Sequence, residues 1–270
     1  MRADCPLSAL GLSVEMADKS LVRVSRLLST GKDNAKLGLS DKAETVWRSL
    51  GLSLAPSKLS GFQVCSDASP GCVKACISIS ARSLLFPNVV RSRVAKTRGF
   101  FMQRDAWKRL FVADLLRHTR LHTSRGWKTA VRLNVFSDIV WESVWPSLFA
   151  MFPCVQFYDY TKHANRALRV LRAGPANYHL TFSRSECNGS DAIRLLRSGV
   201  NVAVVFDRKP IPETWQGFPV VSGDTTDLRF LDPPGSVIGL YAKGRGKTDR
   251  TGFVVPTVEQ SGKRIALPVL

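Results

Sequence analysis

Short apolar runs alternate with helical stretches along most of this 270-residue chain, and this alternation constrains the fold more than any other feature. The runs recur at a spacing of roughly 25 residues, which is typical of parallel βαβ units. We predict strands at residues 61–65, 129–136, 155–161, 178–183 and 200–206, with two more at 218–223 and 236–243. The predicted fold class is α/β, a parallel βα repeat that forms a partial or full TIM-like barrel, with a doubly wound sheet as the alternative.

Helical periodicity fills the longest interval between those strands. Trp107, Leu110, Phe111 and Leu115 repeat along one helical face and predict a helix over residues 89–122. Such a helix would bury this stripe against the sheet.

The chain is expected to contain one main domain. We assign residues 1–44 to an irregular N-terminal extension, 45–255 to the α/β domain and 256–270 to a C-terminal tail. No apolar run is long enough to span a bilayer, and the N-terminal segment lacks the apolar core of a signal peptide. We therefore expect no membrane association, a cytoplasmic location and reduced cysteines.

The charge balance is strongly basic. The formal net charge is +18, and 44% of the residues are hydrophobic, so the chain should fold and should attract anionic partners. Nucleic acid or a nucleotide is the expected partner class. Six basic residues after the cysteine-rich loop are the candidate nucleic-acid contacts: Arg91, Arg93, Lys96, Arg98, Arg104 and Lys108.

Polar residues recur where the predicted strands end. Asn134, Ser137 and Asp138 follow the second strand, Lys162 follows the third, and Glu186 follows the fourth. Since parallel strands of an α/β fold gather functional groups at their carboxyl ends, these residues are candidates for one polar rim. Helix capping and ion pairing are the alternative explanations.

Three cysteines lie close together in the segment "GFQVCSDASPGCVKACISISAR". Cys72 and Cys76 are four residues apart and would project from one face of a helix, with Cys65 before them. Three thiolates can hold an iron–sulfur cluster and leave one iron open to a ligand. Zinc, with a fourth ligand such as Asp67, and three unligated cysteines are the alternatives.

The histidines are weaker candidates for a metal site than the cysteines. His118 and His122 are four residues apart on the predicted helix and could share a metal, but no third ligand lies near them in sequence. We expect both to face solvent. The sequence shows no Walker A loop, dinucleotide-binding glycine motif or nucleophile elbow.

Seven segments together resemble an uncharacterised phage and prophage family, the gene product 88 proteins. The resemblance covers about residues 30–255 and implies a phage-type protein of the bacterial cytoplasm, without implying a reaction. The segments are "TGKDNAKLG", "GLSLAPSKLSGFQVCSDASPGCVKAC", "VRLNVFSDIVWE", "FYDYTKHANRA", "YHLTFSRSECN", "NVAVVFD" and "VVSGDTTDLRFLDPPGSVIGLYAKG".

The stretch "SPGCVKAC" also resembles the cysteine loop of radical S-adenosylmethionine-like proteins. That resemblance implies a partial β/α barrel, a 4Fe-4S cluster and S-adenosylmethionine as cofactors. By position, Cys65, Cys72 and Cys76 would ligate the cluster. Asn134, Ser137 and Asp138 would face the cofactor.

Three functions are therefore considered. The first is a radical S-adenosylmethionine-like enzyme acting on nucleic acid or a nucleotide, with Asp138, Lys162 and Glu186 as catalytic candidates. The second is a non-catalytic, basic nucleic-acid-binding protein. The third is a metal-dependent nuclease that uses Asp138, Asp159 and Asp224.

Overall fold

The computed structural model describes residues 24–33, 37–38, 45–79 and 86–257. The strands in this part of the chain are β1 (Leu28–Ser29), β2 (Trp47–Leu52), β3 (Lys128–Arg132), β4 (Val155–Thr161), β5 (Tyr178–Ser183), β6 (Val202–Phe206), β7 (Thr214–Trp215), β8 (Phe218–Ser222), β9 (Val237–Tyr241) and β10 (Val254–Val255). The α-helices are α1 (Pro70–Lys74), α2 (Pro87–Met102), α3 (Arg104–Ser124), α4 (Trp141–Val144), α5 (Ser147–Met151), α6 (Ala164–Ala173) and α7 (Gly189–Arg197).

All the strands belong to one mostly parallel sheet. Its order is β1-β2-β3-β4-β5-β6-β9-β8-β7, with β10 paired to β6. The strands from β2 to β8 in this order are parallel to their neighbours, whereas β1 and β7 are antiparallel. The predicted parallel α/β class is confirmed. The sheet is not closed within the described residues, so the barrel stays a prediction.

The strand order bears on the doubly wound alternative. From β2 to β6 each strand lies beside its predecessor in the chain. Since crossovers between parallel strands are right-handed, such an order places the connecting helices on one face, which we call the outer face. A doubly wound sheet instead reverses its order and carries helices on both faces.

Several predicted elements lie elsewhere or are shorter than expected. The predicted strands at 155–161 and 178–183 coincide with β4 and β5. The predicted first strand at 61–65 is wrong: these residues form turns and loop, with Gly61 at a φ of +92°. The predicted helix over 89–122 is two helices, because Gln103 has a non-helical backbone.

The outer face is apolar and packs under the helices. Leu50, Val131 and Phe157, on three neighbouring strands, are each at most 1% exposed. They join one hydrophobic core with aromatic side chains of the helices, such as Trp107 and Trp141. Burial of this surface is the main stabilising contribution to the fold.

The opposite face, called the inner face, carries buried polar side chains. Arg132 donates to Asp227 at 2.9 Å, and Tyr158 donates to the same carboxylate at 3.3 Å. The Ser49 hydroxyl is 2.6 Å from that of Tyr158. Asp227 belongs to the segment between β8 and β9, which therefore covers this part of the sheet.

The expected solvent exposure of two histidines is wrong. His118 and His122 are 7% and 6% exposed on the sheet side of α3. The His122 Nδ1 atom lies 3.0 Å from the Thr129 hydroxyl, so a polar partner permits its burial. Burial, with neighbouring positive charge, lowers the pKa of His122 to about 4.

Much of the assigned N-terminal extension (1–44) and of the assigned C-terminal tail (256–270) lies outside the described residues, which exclude residues 1–23 and 258–270. Leu28–Ser29, inside the assigned extension, forms the edge strand β1 on β2. The Asp114 carboxylate accepts hydrogen bonds from the backbone of Leu27 and Leu28, which holds this strand in place. Within the described ranges, no helix has both the length and the apolar character needed to cross a membrane.

Candidate functional site

A cavity of about 510 Å³ opens on the inner face at the carboxyl ends of the parallel strands. Its floor includes side chains from neighbouring strands, among them Arg132, Tyr160, Val205 and Leu240. The loop that follows β2 and contains the three cysteines forms one wall. This is the size of a small-molecule site, at the edge where α/β folds place their functional groups.

All three predicted cysteine ligands line this cavity. Cys65, Cys72 and Cys76 are partly buried, and Cys65 accepts a hydrogen bond from the backbone N–H of Ser57 at 3.4 Å. Burial raises the pKa of the Cys65 thiol to about 11, and charge on Cys72 and Cys76 adds to the effect. All three thiols therefore border the same cavity.

The backbone that presents this N–H is unusual. Ser57 has a φ of +51°, in the left-handed region that non-glycine residues rarely adopt. Local strain of this kind persists where the surrounding structure enforces it and clusters at functional sites. The loop after β2 is thus held in a costly conformation next to the Cys65 sulfur.

Helix α1, which carries Cys72, is fastened at its first turn by Glu186. The Ser69 hydroxyl and the Gly71 N–H each donate to the Glu186 carboxylate at 2.7 Å, and Ser69 also accepts from the Cys72 N–H at 3.2 Å. A Cβ atom on Gly71 would collide with the Thr251 hydroxyl and come within 2.7 Å of Glu186 Oε2, which explains the glycine. We call these contacts the Glu186 clasp.

The clasp affects the charge state of its carboxylate. Partial burial acts to raise the pKa of Glu186, but hydrogen bonds from its own backbone, Ser69 and Gly71 lower it overall. Glu186, predicted as a catalytic residue, therefore uses its carboxylate oxygens to position the cysteine helix.

His163 forms a second link to the cysteine loop. Its Nδ1 atom is 2.5 Å from Asp67 Oδ2, and its Nε2 atom is 3.2 Å from the Ser66 hydroxyl. Asp138 Oδ2 lies 4.0 Å from the same Nε2 atom. The turn between β4 and α6 is thereby joined to the residues that follow Cys65.

Asp138 lines the cavity, but both its carboxylate oxygens are engaged. Oδ2 accepts from the Lys162 N–H at 2.7 Å, and Oδ1 accepts from Arg166 at 2.8 Å. The backbone N–H of Asp138 donates to the Val64 carbonyl, next to Cys65. These contacts fix the relative positions of three loops.

Asn134 and Ser137 also line the cavity and shape the turn after β3. Asn134 Oδ1 accepts from the Ser137 hydroxyl at 2.7 Å, from Ile139 N at 3.0 Å and from Trp141 Nε1 at 3.1 Å. Asn134 Nδ2 donates to the Ile139 carbonyl at 2.9 Å. These bonds use the side-chain amide of Asn134 within the turn, and the predicted role of both residues as cofactor contacts stays a prediction.

Lys162 presents its ammonium group to the cavity wall. Its Nζ atom donates to the Ser183 hydroxyl at 2.8 Å and lies 5.5 Å from the centre of the Phe253 ring. Among the described residues, the Lys162 ammonium group has no carboxylate partner.

The three carboxylates proposed for a nuclease have separate partners. Asp138 pairs with Arg166, Asp224 pairs with Lys243 at 2.7 Å, and Asp159 accepts from Tyr178 at 2.9 Å. Among the described residues, no three His, Cys, Asp or Glu side chains form a group that could hold a single metal ion.

The six predicted nucleic-acid contacts lie on α2 and α3. Half of them hydrogen-bond to other segments: Arg93 donates to the Ser78 carbonyl, Lys96 to the Leu27 carbonyl and Arg98 to the Ser60 carbonyl. Three of the six are exposed, namely Arg91, Arg98 and Arg104. Arg104 and Lys108 also lie over aromatic rings.

Sequence reasoning missed Arg132, which pairs with Asp227 at the floor of the cavity. Tyr160 and Ser183, polar residues at the ends of β4 and β5, also line the cavity. The segments "VQFYDYT" and "YHLTFS" alternate polar and apolar residues. Since strands buried under helices on both faces are apolar throughout, this alternation indicates that one face of these strands carries polar side chains.

Comparison with known proteins identifies a family. Neither the curated proteins nor the solved structures contain a match to this chain. The resemblance to radical S-adenosylmethionine-like proteins gains no support from these comparisons and stays a hypothesis. The family model described as "Gene product 88" matches residues 25–257, which include nearly every described residue. The chain therefore belongs to the Gene product 88 family, a phage-type family.

Proposed function

We propose that this protein is an iron–sulfur enzyme of radical S-adenosylmethionine type, whose 4Fe-4S cluster is held by Cys65, Cys72 and Cys76. One observation carries the proposal. All three thiols line a single cavity at the carboxyl ends of consecutive parallel strands. The cavity would bind S-adenosylmethionine and a small substrate beside the cluster, within a sheet that acts as a partial barrel.

Three thiolates are the donor set of a cluster that leaves one iron open to a ligand. Structural zinc sites instead use four ligands that converge on one ion. A cluster places each thiolate on a different iron, so the sulfurs surround a volume instead of meeting at a point. The Ser57 N–H that donates to Cys65 is the kind of hydrogen bond that tunes cluster potentials.

When bound, the cluster would supply an electron and an open iron to a ligand in the cavity. The chain's own residues then have separable roles. The Glu186 clasp positions α1, and Asp138 positions the loops around Cys65. Lys162 and Ser183 remain to contact a bound molecule, while Val205 and Leu240 exclude water from the floor.

The test is anaerobic reconstitution of the full chain with iron and sulfide. We expect about four irons and four sulfides per chain with the brown absorbance of a cluster. Cys65→Ser, Cys72→Ser and Cys76→Ser should each lose most of the iron. Cys187→Ser is the matched control, because Cys187 is an exposed free cysteine that does not line the cavity.

Circular dichroism of each variant separates loss of ligand from loss of fold. Wild-type protein without iron and sulfide would contradict the proposal. Equal iron loss in the Cys187 variant would also contradict it.

A second candidate is nucleic-acid binding, which the net charge of +18 favours. Affinity for a labelled oligonucleotide should fall steeply as salt rises. Substitution of Arg91, Arg98 and Arg104 by Gln should weaken binding more than the same change at a second exposed triplet, Arg172, Arg194 and Arg197, on α6 and α7. Equal effects of the two triplets on affinity would show that binding comes only from non-specific attraction to the net positive charge.

A further inference from the structure

Lys162 is a half-buried cation without an acidic partner. Its Nζ atom has one hydrogen bond, to the Ser183 hydroxyl at 2.8 Å. No carboxylate of the described residues forms an ion pair with it; the nearby Asp138 accepts from its backbone N–H instead. A partly desolvated ammonium group without a counterion favours an anionic ligand.

The other charges around the cavity are largely matched within the protein. At the floor, Arg132 pairs with Asp227 at 2.9 Å. At the opposite wall, Lys243 pairs with Asp224 at 2.7 Å. The negative charge of each of these two carboxylates is therefore balanced by its cationic partner.

The third lining carboxylate, Asp138, pairs with Arg166, which also pairs with Glu142 at 2.9 Å. Two lining cations remain, Lys58 and Lys162, and neither has a carboxylate partner among the described residues. Lys58 is exposed and Lys162 is half-buried, so Lys162 is the unpaired cation that a ligand in the cavity would contact. A phosphate monoester carries close to two negative charges at neutral pH and offers several acceptor oxygens to this cation and its neighbouring donors.

Hydrogen-bond donors are available at the same point. The Ser183 hydroxyl accepts from Lys162, so its own proton is free to be donated. The Lys162 ammonium group retains two further N–H donors. One phosphate group could accept from both side chains, which lie on adjacent strand ends.

The rest of the cavity suits an apolar or aromatic body. Val205 and Leu240 contribute apolar floor, and the rings of Phe136, Tyr160 and Phe253 line the walls. A volume of about 510 Å³ is adequate for a molecule of mononucleotide size.

We propose that the cavity binds a phosphate monoester with an aromatic body, and that Lys162 Nζ and Ser183 Oγ contact the phosphate. This inference rests on the proposed function, because it names the substrate class of the same cavity. It concerns a group of the substrate, and its test does not depend on the cluster.

The experiment measures equilibrium binding to the metal-free full chain by calorimetry. The probes are adenosine monophosphate, adenosine and S-adenosylmethionine. Lys162→Met should weaken binding of adenosine monophosphate by about tenfold or more, and Ser183→Ala by a smaller factor. Lys74→Met, which removes an exposed cation on α1 outside the cavity, should have no effect.

Each result decides for or against the proposal. Loss of adenosine monophosphate binding in Lys162→Met, with adenosine binding unchanged, supports it. Absence of adenosine monophosphate binding, equal loss in Lys74→Met, or weakening of S-adenosylmethionine alone overturns it. Iron content after reconstitution is measured on the same variants, so a failure of the cluster proposal is seen separately.

Discussion

Both faces of the sheet are buried, but different interactions stabilise them. On β4, Phe157 and Tyr158 are neighbours and are both 0% exposed. Phe157 packs on the outer face against the Phe149 ring, 5.2 Å away, whereas Tyr158 hydrogen-bonds to Ser49 and Asp227 on the inner face. The outer face stabilises the protein through apolar burial, and the inner face keeps polar groups paired around a cavity.

The largest expected effect comes from the outer face. Phe157→Ala should lower the free energy of unfolding by about 4 kcal/mol, because it leaves a cavity in the main core. Denaturant unfolding measures the change, with Tyr160→Phe on the inner face as the conservative comparison. A decrease of less than about 1 kcal/mol in the free energy of unfolding would show that Phe157 does not lie in a closely packed core.

The inner face is tested by its buried ion pair. Asp227→Asn should cost about 3 kcal/mol, because Arg132 would keep its buried charge without a partner. The control Asp191→Asn breaks the exposed pair with Arg194 and should cost less than about 1 kcal/mol. The double change Arg132→Met with Asp227→Leu should recover most of the loss. Equal costs for Asp227→Asn and Asp191→Asn would contradict this description.

Asp159 is a polar exception on the outer face and gives a pH test. Burial raises its pKa from 3.8 to about 7, although hydrogen bonds from Asn134 and Tyr178 and the nearby Arg166 oppose the shift. Between these values the folded state binds more protons than the unfolded state, so the contribution of Asp159 is greatest at low pH and is lost as pH rises to about 7.

The measurement is the unfolding free energy of wild type and Asp159→Asn at several pH values in that interval. The wild type should lose stability relative to the variant by up to about 1.4 kcal/mol per pH unit. Parallel pH profiles would mean that Asp159 titrates normally. Asp191→Asn, at an exposed position, should leave the profile unchanged.

The smallest expected effect concerns the cavity wall. Glu186→Gln weakens the bonds to Ser69 and Gly71 by about 1 kcal/mol, so α1 should open more often. The alkylation rate of Cys72 should rise about fivefold, while that of Cys187 and the global unfolding midpoint stay unchanged. Equal rates for Cys72 in both proteins would show that the clasp does not hold the helix.

Local patterns predicted the middle of the sheet well. β4 and β5 have clear alternation and definite ends, and both were predicted at their observed bounds. The true first parallel strand, Trp47–Leu52, was missed because "WRSLGL" has no β-branched residue and contains a glycine. Short-range propensity was therefore misleading where pairing with β3 decides the structure.

Residues of the candidate site could be predicted from the sequence, but their hydrogen-bond partners could not. The three cysteines were identified from their spacing and Lys162 from the end of a strand, and the structure brings them to one cavity. The roles of Glu186 and Asp138 depend on partners far away in sequence, which spacing does not reveal. Those side chains hold loops together, and only tertiary contacts distinguish such positioning from contact with a ligand.

The clasp has a consequence for the order of events during synthesis. Gly71 emerges from the ribosome 115 residues ahead of Glu186, and the loop partners Asp138 and His163 also come later. Until those residues are made, the cysteine loop and its helix lack these contacts in a nascent chain. Loading of any cofactor at these thiols should therefore follow synthesis of the chain through Glu186.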